Sequence, residues 1–121
     1  ILKPNMVISG SKADNRASPS DVAEATIRCL KNHVPSSVPG IAFLSGGQTS
    51  EEATEHLSLM NKFGDLPWEL SFSYGRALQA LPLNIWSGSE ENYAAAQAAL
   101  LKRAHLNSLA HQGEYNSNME T

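Results

Sequence analysis

The sequence has 121 residues, of which 41% are hydrophobic and 17% are charged, and its formal net charge is −3. This length and composition suit one small domain with a packed core. The negative charge gives no general attraction to nucleic acid or to an acidic membrane surface, and no apolar run approaches the length that spans a membrane.

Three apolar runs predict β-strands, and a helix signal follows each of them. In chain order the predicted strands are Ile1–Ile8, Gly40–Leu44 and Trp68–Tyr74. Such alternation is typical of parallel strands joined by crossover helices, so the sequence predicts an α/β fold. A small open sheet and a part of a (β/α)8 barrel both fit this order, and a chain that begins inside a strand favours the part of a barrel.

The first two predicted helices have clear start signals. Ser18 is a good N-cap before Pro19, and Asp21 supplies a carboxylate in the first turn. The second helix begins near Thr49–Ser50, with the acidic pair Glu51–Glu52 in its first turn. We interpret this pair as a dipole partner of the helix.

The C-terminal third is predicted to be mostly helical. Its first helical region opens at Gly75 and bends at Pro82, because proline disrupts a helix interior. A long helix then runs from about Glu90 to His111, capped by Ser89. The face predicted to be apolar consists of Tyr93, Ala96, Leu100 and Ala104. Residues 116–121 are polar, and we expect a frayed tail there.

Glycine and polar residues follow the second and third strands, where parallel α/β proteins bind ligands. "LSGGQ" holds paired glycines that let a backbone approach a phosphate, and "SYGRAL" adds Gly75 and Arg76, whose guanidinium can grip a phosphate. The alternative for "LSGGQ" is an ordinary tight turn between a strand and a helix, and the alternative for Arg76 is a surface arginine on a first helical turn.

Lys3 lies in the first apolar run. Pro4 holds it in an extended conformation, so its side chain has a fixed direction. Burial or a neighbouring cation favours a neutral amine, which can attack a ketone to form a Schiff base. The alternative is a lysine at a strand edge whose amine reaches water.

No other residue pattern indicates a reactive site. The four histidines, His33, His56, His105 and His111, show no metal-ligand spacing and are interpreted as helix-surface residues. The single cysteine, Cys29, is interpreted as a small buried hydrophobe. We therefore expect neither a metal nor another cofactor.

Four stretches together carry a family resemblance: "LKPNMV", "FLSGGQ", "PWELSFSYGRALQ" and "NSLAHQGEY". They are long, specific and in the right order, and the sequence resembles class I fructose-1,6-bisphosphate aldolase from Ile1 to about Tyr115. The resemblance implies one partial domain over residues 1–121. It corresponds to the C-terminal portion of a TIM (β/α)8 barrel, with strands six to eight and their helices.

The resemblance also implies an activity, which is reversible cleavage of fructose 1,6-bisphosphate to dihydroxyacetone phosphate and glyceraldehyde 3-phosphate. Lys3 matches the family's Schiff-base lysine, and no metal is needed because the iminium acts in its place. The positions that match the family's phosphate-binding turns are Ser45, Gly46, Gly47, Ser73, Gly75 and Arg76. The implied partners are phosphorylated sugars and, in the full-length family, three further copies in a homotetramer. A cytoplasmic location is expected, with a plastid not excluded.

The family's acid–base carboxylates lie on strands before Ile1, so we expect this piece alone to be inactive. Two other readings remain open. One is a different Schiff-base phosphosugar lyase or transaldolase-like barrel. Assays on six- and seven-carbon sugar phosphates would distinguish it from the aldolase by its substrate range. The other is a non-catalytic phosphate-binding module, which would not require Lys3 in its strand.

Overall fold

The structure, a computed structural model, describes all residues from 1 to 121. Four α-helices and two β-strands make up its regular elements, with short 3-10 turns at Glu90–Asn92 and Ser117–Glu120. In chain order the elements are α1 Pro19–His33, β1 Gly40–Phe43, α2 Ser50–Asn61, β2 Glu69–Phe72, α3 Arg76–Trp86 and α4 Tyr93–His111. None of the helices combines the length and apolar character needed to cross a membrane.

The strands β1 and β2 pair in parallel, as predicted, with Ile41 opposite Leu70 and Phe43 opposite Phe72. Ile41, Phe43 and Leu70 are buried in the hydrophobic core with the apolar faces of α1 and α2. The alternate residues point to the other side of the sheet, which is half-buried or exposed. We call this side the open face; its residues are Ala42, Leu44, Ser71 and Ser73.

The segment Ile1–Ile8, predicted as a strand, pairs regularly only at its start. Leu2 forms a parallel bridge with Ile41 through backbone hydrogen bonds of 3.2 and 2.8 Å. The next rung would need an amide hydrogen from Pro4, which has none. The carbonyl of Pro4 still accepts a hydrogen bond from Leu44 at 2.8 Å. The predicted strand is therefore wrong in extent, because Pro4 interrupts the ladder, but the segment does run parallel to β1.

The start signals of α1 and α2 are confirmed. Ser18 and Asp21 form a reciprocal capping box at α1, and Thr49 and Glu52 form one at α2. In each box the hydroxyl accepts from the backbone of the acidic residue, and the carboxylate accepts from the cap's own amide. Glu52 thus serves the helix end, as expected.

The helix α3 continues through Pro82, from Arg76 to Trp86, so this proline does not end the helix, and the bend expected there stays a prediction. The predicted apolar face of α4 is wrong, since Tyr93 is 58% exposed and Leu100 is 40% exposed. The residues that α4 buries are Arg103, Leu106, Asn107 and Ala110. The helix is rich in alanine, so its apolar residues surround it and do not mark one face. Ser89 does not cap α4, which begins at Tyr93 after the 3-10 turn.

Two single-residue interpretations are also wrong. Cys29 is exposed on α1, within 3.9 Å of the Nδ1 atom of His33 one turn later. His56 is 4% exposed and so belongs to the interior, not to a helix surface.

The tail expected to be frayed contains a 3-10 turn at Ser117–Glu120. Its Glu120 carboxylate accepts two hydrogen bonds of 2.8 Å from the guanidinium of Arg103 and one of 2.7 Å from the hydroxyl of Tyr115. Charge-assisted bonds of this kind fasten the tail to α4.

Candidate active site

Two neighbouring turns form the candidate site. Residues 44–49 connect β1 to α2, and residues 73–75 connect β2 to α3. The amide of Ser73 donates to the carbonyl of Phe43 at 2.9 Å, which keeps the second turn beside the first. Both turns therefore lie at the carboxyl edge of one parallel sheet, where ligands bind in such folds.

The backbone amides in these turns are available to an anion. Those of Gly46, Gly47 and Gly75 donate no hydrogen bond within the chain. Gly47 has a φ of +75°, which glycine adopts without strain. Gly75 precedes α3 with no side-chain cap, so the positive end of that helix is uncompensated.

All six residues expected to bind substrate line one open cleft of about 880 Å³: Ser45, Gly46, Gly47, Ser73, Gly75 and Arg76. The side chain of Arg76 is exposed and forms no ion pair within the chain. An anion in the cleft would meet free amides from two turns and an unpaired guanidinium. Amides and a guanidinium together are well suited to a phosphate.

Lys3 does not line this cleft; it is exposed, not buried, on the segment that runs beside β1. Because Leu2 is paired with Ile41, Lys3 is level with Ala42 and belongs to the open face. Ser73 is on the same face, one two-residue step beyond the Ser71 that is paired with Ala42. That step is about 6.6 Å along the strands. The amine of Lys3 thus lies on the side of the sheet that leads to the turns.

Side chains that the sequence analysis did not identify support the turn after β1. The Nδ2 atom of Asn5 donates to the carbonyl of Gly46 at 2.9 Å. The Nε2 atom of Gln48 donates to the Oδ1 atom of Asn5 at 3.1 Å, and Gln48 also contacts the Nδ1 atom of His56 at 2.8 Å. Burial lowers the pKa of His56 below its ordinary 6.5, an effect that nearby Glu52 opposes. The ring is therefore neutral near pH 7.

Arg16 is a second unpredicted residue of the cleft. Its guanidinium donates to a carboxylate oxygen of Glu52 at 2.8 Å and to the carbonyl of Gly47 at 3.2 Å. Glu52 is also the acid of the α2 capping box. Arg16 thus ties the loop before α1 to the turn after β1 and to the first turn of α2. It lies in a polar stretch without periodicity, so no sequence signal marked it.

A buried ionic cluster lies beside the cleft and centres on Arg103. Besides Glu120, its guanidinium contacts Thr54 at 3.0 Å and Glu51 at 3.4 Å. Burial alone would raise the pKa of Glu120, but the hydrogen bonds from Arg103 and Tyr115 hold it below its ordinary 4.5. Burial and the bond to Glu120 raise the pKa of Tyr115. The cluster joins α2, α4 and the C-terminal turn and is structural in character.

The structure contains no group of three or more His, Cys, Asp and Glu side chains arranged to hold a metal ion. The groups described above that can act on a ligand are the free amides, the guanidinium groups and the amine of Lys3. These groups bind an anion and, through the amine, attack a carbonyl carbon.

Comparisons with known proteins assign the chain to one family. The sequence matches the family described as "Glycolytic: Fructose-bisphosphate aldolase class-I" over residues 1–121. It is 53% identical to fructose-bisphosphate aldolase B of Gallus gallus over 116 residues, which are 95% of this chain and 32% of that protein. It is 52% identical over 120 residues to a protein of Chlamydomonas reinhardtii named fructose-bisphosphate aldolase 1, chloroplastic, covering 99% of this chain and 32% of that protein.

A solved structure of fructose-bisphosphate aldolase from Plasmodium falciparum, in complex with TRAP and a small-molecule inhibitor, superposes with a TM-score of 0.91. The two sequences are 50% identical, and the match covers 96% of this chain and 33% of that one. The chain thus spans about a third of the length of the relatives that it matches. The family and this structural neighbour imply a TIM-barrel-type α/β fold. A match over residues 1–121, together with identities near 50%, shows that the chain belongs to the class I fructose-bisphosphate aldolase family.

Proposed function

We propose that the protein to which this chain belongs cleaves fructose 1,6-bisphosphate reversibly to dihydroxyacetone phosphate and glyceraldehyde 3-phosphate. The observation that carries the proposal is the meeting of two glycine turns and Arg76 in one cleft, on the side of the sheet that also bears Lys3. A sugar that carries both a ketone and a phosphate matches this pairing of an amine and an anion site. Family membership supports the same substrate.

In the proposed mechanism Lys3 is the nucleophile. The nitrogen of Lys3 attacks the ketone carbon, and loss of water leaves a protonated iminium. The electron pair of the cleaved C–C bond moves toward this iminium and forms an enamine, while the aldehyde product departs. The hydroxyl proton that is released on cleavage requires a base. None of the residues matched here fills that role, which we assign to residues upstream of Ile1.

The two turns hold the ketone-side phosphate. Ser45, Gly46 and Gly47 provide one wall, and Ser73, Gly75 and Arg76 provide the other. A phosphate held there restrains the ketone carbon near the open face, which converts the attack by Lys3 into an effectively intramolecular step.

We further propose that this chain supplies strands six to eight of the family's barrel, with the open face toward the barrel interior. Phosphorylated sugars are then its ligands, and the full-length protein is a homotetramer. We predict a cytoplasmic location for it, with a plastid as the alternative.

Trapping of the Schiff base tests the catalytic assignment. The full-length protein is incubated with dihydroxyacetone phosphate, reduced with borohydride and digested for mass spectrometry. The adduct is expected on Lys3, and Lys3→Arg should abolish both adduct and turnover, because arginine stays protonated and cannot form an imine. Lys31→Arg, on the exposed last turn of α1, is the matched control. Adducts confined to other lysines would overturn the assignment.

The isolated residues 1–121 should not catalyse the reaction. They lack an identified proton carrier, and the open sheet edges of a partial barrel favour self-association. Their fructose 1,6-bisphosphate cleavage and sedimentation test this. A folded monomer with turnover near that of an intact enzyme would contradict it and would make Glu51 or Glu52 the candidate acid–base.

A further inference from the structure

A chain of side-chain hydrogen bonds joins the segment that carries Lys3 to the turn after β1. It runs from the carbonyl of Gly46 through Asn5 and Gln48 to the buried ring of His56, with distances of 2.9, 3.1 and 2.8 Å. Asn5 and Gln48 belong to the stretches "LKPN" and "LSGGQ", of which the proposed chemistry uses only the lysine and the Ser-Gly-Gly turn.

The donor and acceptor roles along this chain are fully consistent. A carbonyl only accepts, so the Nδ2 atom of Asn5 must donate to Gly46. The Oδ1 atom of Asn5 then accepts from the amide of Met6 at 2.8 Å and from the Nε2 atom of Gln48. This leaves the Oε1 atom of Gln48, also an acceptor, facing the Nδ1 atom of His56, which therefore carries a hydrogen. Every member has a partner of the right kind.

The chain ends on a rigid support. His56 is 4% exposed on α2, next to Leu57, which is fully buried. At the other end the approach is close, because a Cβ atom at Gly46 would lie 3.3 Å from the Nδ2 atom of Asn5. The turn after β1 and the Lys3 segment are thus both anchored to His56 of α2, which belongs to neither of them.

Asn5 lies two residues after Lys3 in an extended segment, so both belong to the same side of it. A substrate bound through its ketone and its phosphate needs a fixed separation between the amine and the phosphate turn. Asn5 is the residue that connects these two parts.

We propose that Asn5 is a positioning residue, supported by Gln48, that fixes the phosphate turn relative to Lys3. The inference rests on the proposed function of this site. Asn5 touches neither the reacting carbon nor the phosphate in this account; it acts through the carbonyl of Gly46, which sets where the neighbouring free amides point.

Neutral substitutions in the full-length protein test the proposal without adding charge to an anion site. Asn5→Ala should raise KM for fructose 1,6-bisphosphate roughly tenfold, the scale of one lost hydrogen bond to a turn. Gln48→Met should raise it about threefold, because Asn5 keeps its other partners. The double variant should resemble Asn5→Ala alone, since Gln48 acts through Asn5. Asn32→Ala, at an exposed position without side-chain bonds on α1, is the control and should change nothing.

Calorimetric titration with inorganic phosphate gives a readout that does not depend on turnover. Asn5→Ala should weaken phosphate binding by a similar factor, while its melting temperature reports any general loss of stability. Phosphate affinity equal to that of the unsubstituted protein would overturn the inference, as would additive effects in the double variant. Absence of a borohydride adduct on Lys3 would instead remove the proposed function, and the phosphate titration would still decide the role of Asn5.

Discussion

Arg76 carries the only side-chain charge that we assign to the phosphate, and its removal tests that assignment directly. The residue opens α3, is exposed, and forms no ion pair within the chain. Arg76→Ala therefore leaves no unpaired carboxylate behind, and the melting temperature should hardly change. The expected effect falls almost entirely on the bound substrate.

The loss in transition-state stabilisation should be about 2–4 kcal/mol, because a charge-assisted and bidentate contact disappears. This corresponds to a fall in kcat/KM of roughly 30- to 1000-fold. The free amides of Gly46, Gly47 and Gly75 remain, so binding weakens but is not abolished. Arg76→Lys should recover part of the loss, since lysine keeps the charge without the planar fork.

The assay compares kcat/KM for fructose 1,6-bisphosphate with that for a ketose lacking the ketone-side phosphate, both in the full-length protein. Arg76→Ala should affect the second substrate much less. Arg28→Ala, at an exposed position on α1, is the control for loss of a positive charge. An equal loss for both substrates would refute the reasoning and show that Arg76 acts in some way other than by holding a phosphate.

Three further outcomes are expected. Gly47→Ala and Gly88→Ala place alanine at similar φ angles of +75° and +76°, so each should cost about 1 kcal/mol in unfolding free energy, and Gly47→Ala somewhat more because its Cβ atom would lie 3.2 Å from the Cδ1 atom of Ile8. Only Gly47→Ala should also lower kcat/KM, because only Gly47 lines the cleft. Arg103→Met should lower the free energy of unfolding in urea by about 2–3 kcal/mol, because it leaves the Glu120 carboxylate without its ionic partner. The 20% exposure of that carboxylate reduces the loss. A loss below 0.5 kcal/mol, the scale of ordinary surface changes, would contradict this. Stability in urea titrations should fall as pH drops below 6.5, because the folded state resists protonation of His56, and again below 4.5 as Glu120 loses its charge. His56→Gln should remove the upper step alone.

Local signals in the sequence were enough to place the starts of α1 and α2. Their caps are decided by residues three apart, Ser18 with Asp21 and Thr49 with Glu52, so the physical cause lies within one turn. The convergence of the two turns was also predictable, because it follows from parallel strands in sequence order.

Several of the predictions that failed depended on partners distant in sequence. The buried face of α4 includes Arg103, whose guanidinium is bonded to Glu120 and Thr54. A hydrophobicity pattern predicts that a charged residue is exposed, so it does not identify this face. The first strand is shorter than predicted because the next bond of the ladder would need an amide hydrogen from Pro4. Whether this position has to donate to β1 depends on how the two segments are paired, and the sequence alone does not show that pairing.

The sequence analysis missed some residues of the site for the same reason. Asn5 and Gly46 are 41 residues apart, and Arg16 and Glu52 are 36 apart, so nothing within a local window links them. His56 was interpreted as a surface residue because its burial comes from the packing of α2 and not from its neighbours in sequence.

The two turns differ in a way that assigns them different parts in binding. At the turn after β1, Thr49 and Glu52 already satisfy the start of α2, while Asn5 and Arg16 hold the two glycine carbonyls. At the turn after β2, α3 begins uncapped and Arg76 has no ionic partner. We infer that the turn after β1 fixes the position of the bound phosphate and that the turn after β2 supplies the positive charge that attracts it. Because only the second contribution is screened by ions, the effect of Arg76→Ala should shrink as salt rises from 0.05 to about 0.5 M, whereas the effect of Asn5→Ala should stay constant. Equal salt dependence of the two variants would mean that position and charge are not separated between the turns.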